Sequence, residues 1–293
     1  MSRTRVAILG LGLIGGSLGL ALRQAGPEQV EVTGFARRAT TGELALQMGA
    51  VDKLADTPQA AVQDADFVFL CTPVLQMLPM AEAVLPVMKP GAVLTDVGST
   101  KGWFVQKIRS LLPQHIHYIG GHPMAGRERS GMEAAQADLF RDKWFIFTPL
   151  PDTPPALMER LRQLIQLTGA KTAELDEQTH DQVTAVISHV PHVVAAGLVQ
   201  LLRTQNNPAL TARFIGGGFR DTTRIASSDA DMWADICMTN PENIADGLDE
   251  LCGVLAEVSR KVRAGDRDGI HDYFSEAKRL RNTLLSQEKE NEE

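Results

Sequence analysis

Cysteine is scarce in this chain. Cys71, Cys237 and Cys252 stand alone among 293 residues and form no C-x-x-C pair. An odd, widely spaced set argues against a disulfide framework and a cysteine-rich zinc site, leaves the three as small core residues, and fits a reducing, cytoplasmic setting. Cations are also in deficit, 29 Lys and Arg against 36 Asp and Glu, for a net charge of −7. That balance supports no nucleic-acid partner, although it does not bar one or two arginines from meeting a small anion in a pocket. Clean membrane-length apolar runs are lacking as well. The apolar stretch 6–22 follows Arg3 and Arg5 as in a signal peptide, but glycines at 10, 12, 15, 16 and 19 break it and no clean A-x-A-like site follows. The stretch 185–202 carries His189, Pro191 and His192, which speak against a bilayer span. What remains is 44% hydrophobic and 22% charged, an ordinary globular mix without repeats or low-complexity tracts. The length corresponds to about two domains.

Short apolar runs alternate with helical periodicity through the first part of the chain. Strands are expected over 6–9, 30–35, 67–70, 92–97, 116–119, 144–147 and 171–175, and helices over 13–25, 43–48, 75–88, 102–112 and 155–167. Alternation at this spacing implies βαβ units and a mainly parallel, doubly wound sheet of the Rossmann type. From about residue 176 the strand signal ends. Helices are expected over 183–202, 208–215, 222–239, 241–264 and 268–285. The expected organisation is therefore an α/β dinucleotide-binding domain over 1–174, an all-helical domain over 175–285, and a flexible charged tail over 286–293.

Gly10-Leu11-Gly12-Leu13-Ile14-Gly15 is a G-x-G-x-x-G turn placed after the first strand and opening a helix. The first glycine permits the tight turn, the second a close approach of backbone to pyrophosphate, and the third close helix–strand packing. The phosphates would meet the free N–H groups of the helix N-terminus. An acid at the end of the second strand would select NAD through the ribose hydroxyl. Ala36 stands there instead, Glu31 lies at the wrong end, and Arg37, Arg38, Thr40 and Thr41 follow. Those residues can hold a 2′-phosphate by charge-assisted hydrogen bonds, which favours NADP over NAD.

Three polar segments follow strands and should converge at the carboxyl edge of the sheet, where such folds bind ligands. They are Cys71-Thr72-Pro73, the run from Asp96 through Ser99 to Lys101, and the glycine-flanked loop around His122. A histidine at that edge is a candidate acid or base. His189 and His192, three positions apart, share one helix face, but no third ligand for a metal is evident and none is expected. A glycine run at 216–218 leads to Arg220, Asp221 and Arg224, either a surface ion network or an anchor for a substrate carboxylate.

Taken in order, the segments 10–17, 70–73, 96–101 and 121–126, the pair His180-Asp181, the segment 188–192 and the segment 218–224 resemble the prephenate/arogenate dehydrogenases of tyrosine biosynthesis. The resemblance implies a Rossmann domain followed by a helical domain that forms a homodimer. It also implies oxidative decarboxylation of prephenate, or of arogenate, by a nicotinamide cofactor. By position, His122 resembles the histidine that bonds the substrate 4-hydroxyl, Ser99 a serine near that hydroxyl and the nicotinamide, and Arg224 the arginine that anchors a carboxylate. His192 resembles a histidine of prephenate-using members. His189, Glu128, Asp221 and Trp233 resemble gating or supporting residues of the substrate site. Gly10, Gly12, Leu13, Ile14, Gly15, Ala36, Arg37, Thr41, Cys71, Thr72, Pro73 and Ser99 fall at the cofactor. Ala36 departs from the acid that many NAD-using members carry.

Two rivals follow from the same architecture. A β-hydroxyacid or 6-phosphogluconate-type dehydrogenase would need a lysine base beside a G-G-x-x-G-x-G loop, an arrangement not found in the sequence. A non-catalytic NADPH sensor would have no need of His122, Ser99 and Arg224 together. Five residues precede Val6 and a short tail follows Leu285, so the expectation is a monofunctional enzyme. Any tyrosine feedback would then act at the active site or the dimer surface.

Overall fold

The computed structural model describes residues 3–127 and 129–290. Two compact units divide the chain, Met1–Asn243 and Ile244–Glu293. The first is built on eight strands, β1 (Thr4–Leu9), β2 (Val30–Phe35), β3 (Lys53–Leu54), β4 (Phe67–Leu70), β5 (Val93–Asp96), β6 (His117–Pro123), β7 (Trp144–Pro149) and β8 (Lys171–Glu174). They lie in the order β3-β2-β1-β4-β5-β6-β7-β8. All neighbours pair in parallel except β6 with β7. The central strands β4 and β5 are buried on both faces, and β4 reads as a continuous apolar run, Phe67-Val68-Phe69-Leu70.

Helices α1 (Leu13–Ala25), α2 (Ala39–Gln47), α3 (Pro58–Val62), α4 (Val74–Val84), α5 (Gly102–Ile108) and α6 (Pro155–Gln166) alternate with these strands. One face of the sheet buries Val6, Ile8, Phe67 and Phe69 against Leu18, Leu22, Leu161 and Ile165. The other buries Ala7, Leu9, Val68 and Leu70 against Met77, Phe104 and Ile108. Odd and even strand positions thus serve different layers, the period-2 rule of a two-sided core. The chain reverses strand order between β1 and β4, so their carboxyl ends open the crevice where such sheets bind ligands.

Beyond β8 the chain is helical: α7 (Glu177–Thr184), α8 (Val190–Leu201), α9 (Pro208–Arg213), α10 (Gly217–Thr223) and α11 (Ala230–Thr239), then α12 (Pro241–Ala264) and α13 (Arg267–Glu290). The compact-unit division falls after Asn243 rather than at 174/175, because residues 175–243 are tied to the sheet. Asp181 accepts the backbone N–H groups of Lys101 and Gly102, and the Thr100 and Thr239 hydroxyls lie 2.8 Å apart.

Several expected boundaries move. The helix expected over 222–239 is broken, because the Asp229 carboxylate accepts the Met232 N–H and starts α11 afresh. The helix expected from 183 begins at Glu177, where Asp176 caps it through Thr179 N–H. It continues through a π-helical turn, Ala185–His189, into α8. Pro191 has no N–H to bond the carbonyl one turn earlier, which suits a wider turn just before it. Residues 286–290, expected in a flexible tail, continue α13. Gln, Glu and Lys are good helix formers, so charge alone does not end that helix. The run Glu177–Thr204 is long and apolar enough to cross a bilayer, yet it buries His180, Asp181, Thr184 and His189 within the protein.

Candidate active site

The turn after β1 has the shape its glycines require. Gly10 sits at φ 107, in the region that favours glycine. A Cβ on Gly15 would lie 2.0 Å from the Gly10 carbonyl oxygen and 2.9 Å from Cys71 Cβ, so only glycine lets α1 reach the β1 and β4 ends this closely. At Gly12 a Cβ would meet nothing within 4 Å. Gly12 precedes α1 without a capping side chain and no acid stands in the first turn, so the N-terminal amides are open to an anion. Cys71-Thr72-Pro73 follows β4 alongside. Thr72 Oγ1 is buried there with no hydrogen bond among the described residues, and burial beside Asp96 pushes the Cys71 thiol up, so it is no nucleophile. A glycine-lined pyrophosphate cradle and a buried hydroxyl without a partner among the described residues both fit a dinucleotide. Glu31 is committed to Lys53 and Arg5 at the far end of β2. Ala36, Arg37, Arg38, Thr40 and Thr41 lie at its carboxyl end and on the start of α2, with both arginines exposed.

His122 lies within β6, not in a loop beyond it. Antiparallel pairing with β7, in which His122 faces Ile146, carries the strand to Pro123. The imidazole is 8% exposed. Its Nδ1 is 2.8 Å from His180 Nε2 on α7. His180 Nδ1 is in turn 2.8 Å from Asp181 Oδ1. Burial pushes His122 well below the ordinary value of 6.5, and His180, Lys101 and His189 push the same way. It is therefore neutral at physiological pH, as an acceptor of protons has to be.

Beneath His122 lies a buried ion pair. Lys101 and Asp96 are each 0% exposed and bond directly. Lys101 Nζ also donates to the Gly121 carbonyl at 2.7 Å. Asp96 accepts the Tyr118 hydroxyl at 2.6 Å and the Gly98 N–H at 2.7 Å. This pair fixes the ends of β5 and β6 against each other. Sequence reading placed Lys101 in a polar loop and gave it no such role; a lysine five residues after an acid at a strand end was its only trace.

The π turn and α8 supply the opposite wall. His189 Nδ1 accepts from Asn240 Nδ2 at 3.3 Å. Burial lowers His189 to about 4, with the nearby Asp181 charge and Ser99 backbone opposing the shift. Its Nε2 has no hydrogen bond of normal geometry among the described residues. His192 donates from Nδ1 to the Ser188 carbonyl at 2.8 Å and stacks on Trp233, ring centroids 3.9 Å apart. Trp233 also meets the edge of His189. The structure thus pairs His122 with His180 and groups His189, His192 and Trp233, with Asn240 bridging the two from the Asp181 carbonyl to His189 and the half-buried Ser99 meeting His189 through its backbone. Asp221 on α10 and Arg224 at the following turn are exposed and pack with their elements on α8. The described contacts do not join them to His122. Glu128 lies outside the described residues.

Burying neutral histidines makes stability depend on pH. His122, His180 and His189 all bind protons less readily in the folded chain than at the ordinary 6.5. As pH falls below that value the unfolded chain takes up protons first, so stability is lost down towards the folded values, about 4 for His189. The unfolding midpoint should fall between pH 6.5 and about 5, above most carboxylate titration. A midpoint constant over that interval would contradict the burial of neutral imidazoles.

Two family models match the chain, "Prephenate dehydrogenase, nucleotide-binding domain" over residues 18–174 and "Prephenate dehydrogenase, dimerization domain" over residues 176–276. The prephenate dehydrogenase of Bacillus subtilis is 38% identical over 97% of this chain and 77% of its own length. Among solved structures, the prephenate dehydrogenase of A. aeolicus in complex with hydroxyphenyl propionate and NAD+ is 30% identical, with a TM-score of 0.89 over 97% of this chain and 99% of that one. Arogenate dehydrogenase of Synechocystis is 28% identical, with a TM-score of 0.82 over 96% of this chain and 100% of that one.

Proposed function

Since the chain belongs to the prephenate dehydrogenase family, we propose that it catalyses the oxidative decarboxylation of prephenate to 4-hydroxyphenylpyruvate in tyrosine biosynthesis, reducing a nicotinamide dinucleotide. The observation that carries this reading at the chemical level is a neutral, nearly buried His122 at the sheet edge that also bears the dinucleotide turn. When bound, the cofactor supplies a hydride acceptor. As the substrate C4–H bond breaks, the 4-hydroxyl becomes a carbonyl, and His122 accepts its proton. Loss of the ring carboxylate as CO2 leaves an aromatic phenolate, which takes the proton back from His122 to give the phenol, and aromatisation makes the step downhill. Ser99, which follows β5 at the same carboxyl edge, orients the same hydroxyl. The pocket's remaining work is positioning.

His189, His192 and Trp233 form the wall against the substrate side chain, with Asp221 and Glu128 in supporting positions. Arg224 anchors a substrate carboxylate from the turn packed on α8. Arg224→Ala should raise KM for prephenate by about 10- to 100-fold, the worth of a charge-assisted bond, with a smaller effect on kcat. An unchanged KM would leave Arg224 a structural residue.

Gly10, Gly12, Leu13, Ile14 and Gly15 hold the pyrophosphate, and Cys71, Thr72, Pro73 and Ser99 face the nicotinamide end. Ala36, Arg37 and Thr41 surround the adenosine ribose. NADP is the proposed preference, supported by Ala36 in place of an acid and by two exposed arginines that make no ion pair or side-chain hydrogen bond among the described residues. Replacing Arg37 and Arg38 together by Ala should raise KM for NADP by about 10-fold or more and spare NAD. Equal effects on both cofactors would show that the two arginines do not read the 2′-phosphate.

The division between cofactor and substrate halves is proposed at 174/175, where the two family models meet. A homodimer is proposed through the helical half, supported by exposed Val186, Ile187 and Leu201 and by the dimerization-domain match. Tyrosine shares the ring and carboxylate of the product and is the proposed feedback ligand. A cytoplasmic site of action fits three free thiols. Prephenate is favoured over arogenate by His192 in the wall. Assays pairing each acid with NAD and with NADP decide substrate and cofactor together, with prephenate and NADP expected to be fastest. A chain that turns over neither acid with either cofactor would overturn the reading.

A further inference from the structure

Sequence reading notes His180 and Asp181 only as a motif, and the site above needs neither in contact with substrate. We propose that His180, oriented by Asp181, is a positioning residue that holds His122 in the tautomer with Nδ1 protonated and Nε2 bare. The inference rests on the reading of His122 as the proton acceptor and names what makes it one.

Its steps follow from which atoms can donate. Asp181 Oδ1 accepts the Lys101 N–H and Oδ2 accepts the Gly102 N–H, each at 2.8 Å. With both oxygens taken by donors, the carboxylate can only accept from His180 Nδ1, at 2.8 Å. His180 therefore carries its proton on Nδ1. Burial favours its neutral form, so Nε2 is a bare acceptor. That acceptor lies 2.8 Å from His122 Nδ1, which must then be the donor. His122, itself held neutral, is left with its lone pair on Nε2. An imidazole in water prefers the opposite tautomer, so the choice has to be imposed by the bond at the other nitrogen.

The relay is rigid at each joint. His180 is fully buried. Its backbone N–H bonds the Asp176 carbonyl, and its own carbonyl accepts the Thr184 hydroxyl. The two imidazoles meet edge to face, with centroids 5.0 Å apart. Asp181 is held by the amides at the start of α5 and through its carbonyl by Asn240. The charged and titratable groups facing the relay are Asp181, Lys101, Asp96 and His189. The relay spans β6 and α7, so it also sets the helical half against the strand that carries the base. The same logic operates in a serine-protease triad, where an aspartate that selects the histidine tautomer is worth about 10⁴ in kcat.

The test uses the full-length enzyme with NADP+ bound and isotope-labelled histidine, with the His122 resonances assigned by their loss in His122→Asn. The wild-type spectrum should show Nδ1 protonated and Nε2 bare. In His180→Leu the proton should move to Nε2, and kcat should fall by at least about ten-fold and no more than about 10⁴-fold, with KM for prephenate unchanged. In His180→Gln the side-chain carbonyl reaches the position of Nε2 and can accept the same proton. That variant should recover the native tautomer and most of the lost kcat. A wild-type His122 protonated on Nε2 overturns the proposal, even if His180→Leu does not fold. So does a fully active His180→Leu, or a His180→Gln as impaired as the leucine variant with the tautomer unaltered, which would mean packing alone. If His122→Asn itself kept full turnover, the role of His122 would fall while the tautomer measurement would still judge His180.

Discussion

Replacing His122 by Asn should leave folding and cofactor affinity intact and lower kcat by about 10²–10⁴. The magnitude follows from what is removed. His122 is the proposed base, held neutral at the carboxyl edge of β6, and its Nε2 is the nitrogen not committed to His180. An asparagine fits the same volume in the strand but cannot accept a proton. Because the bond to the hydroxyl strengthens only as the carbonyl forms, kcat and kcat/KM should fall together. Circular dichroism and cofactor titration check the fold, and steady-state rates check the loss. Turnover close to wild type would remove His122 from the chemistry.

The largest effect on stability should come from Lys101→Met. Lys101 and Asp96 are both fully buried and paired. Removing the cation leaves Asp96 charged among apolar neighbours, with only the Tyr118 hydroxyl and the Gly98 N–H as partners. It also strips the Gly121 carbonyl of a donor. Breaking a buried pair from one side costs about 3–5 kcal/mol, a large part of the stability of a folded domain. Urea unfolding measures it. Asp96→Asn combined with Lys101→Met should recover part of the loss, because no uncompensated charge remains. A single variant as stable as wild type would contradict the burial of the pair. Activity should suffer as well, since Gly121 precedes His122 in β6.

Local chemistry was the legible part of the sequence. The run from β1 through α1 to β2 carries the apolar stretch 6–9, a glycine turn and a helical period closed by Gly26, and each signal is contained within a few residues. The expected α1 bounds coincide with the structure. β3, with two residues, is too short to leave a period. The breaks around Asp229 and the π turn before Pro191 are set by single caps and one missing N–H, which compete weakly with strong helical periodicity on either side.

At the site, residue type and loop position identified His122 and Ser99 as candidates, helix spacing paired His189 with His192, and only the family resemblance pointed to Trp233. Sequence could not show what joins them. His122 and His180 are 58 positions apart and meet only in the fold, through a single bond between a strand side chain and a helix side chain. Lys101 read as one member of a polar segment after a strand, and its buried ammonium is satisfied by Asp96 and the Gly121 carbonyl, with Tyr118 bonded to the same carboxylate. Non-local pairing of polar groups carries no periodicity, so it becomes visible only with the fold.

The central claim is a coupled hydride transfer and decarboxylation with His122 as base. It is tested most directly by following prephenate consumed, reduced nicotinamide formed and CO2 released in the same reaction, for the wild type and for His122→Asn. The account predicts equal amounts of all three from the wild type and a loss of all three together in the variant. Reduced cofactor without CO2, or CO2 release that survives loss of His122 with cofactor reduction intact, would contradict it.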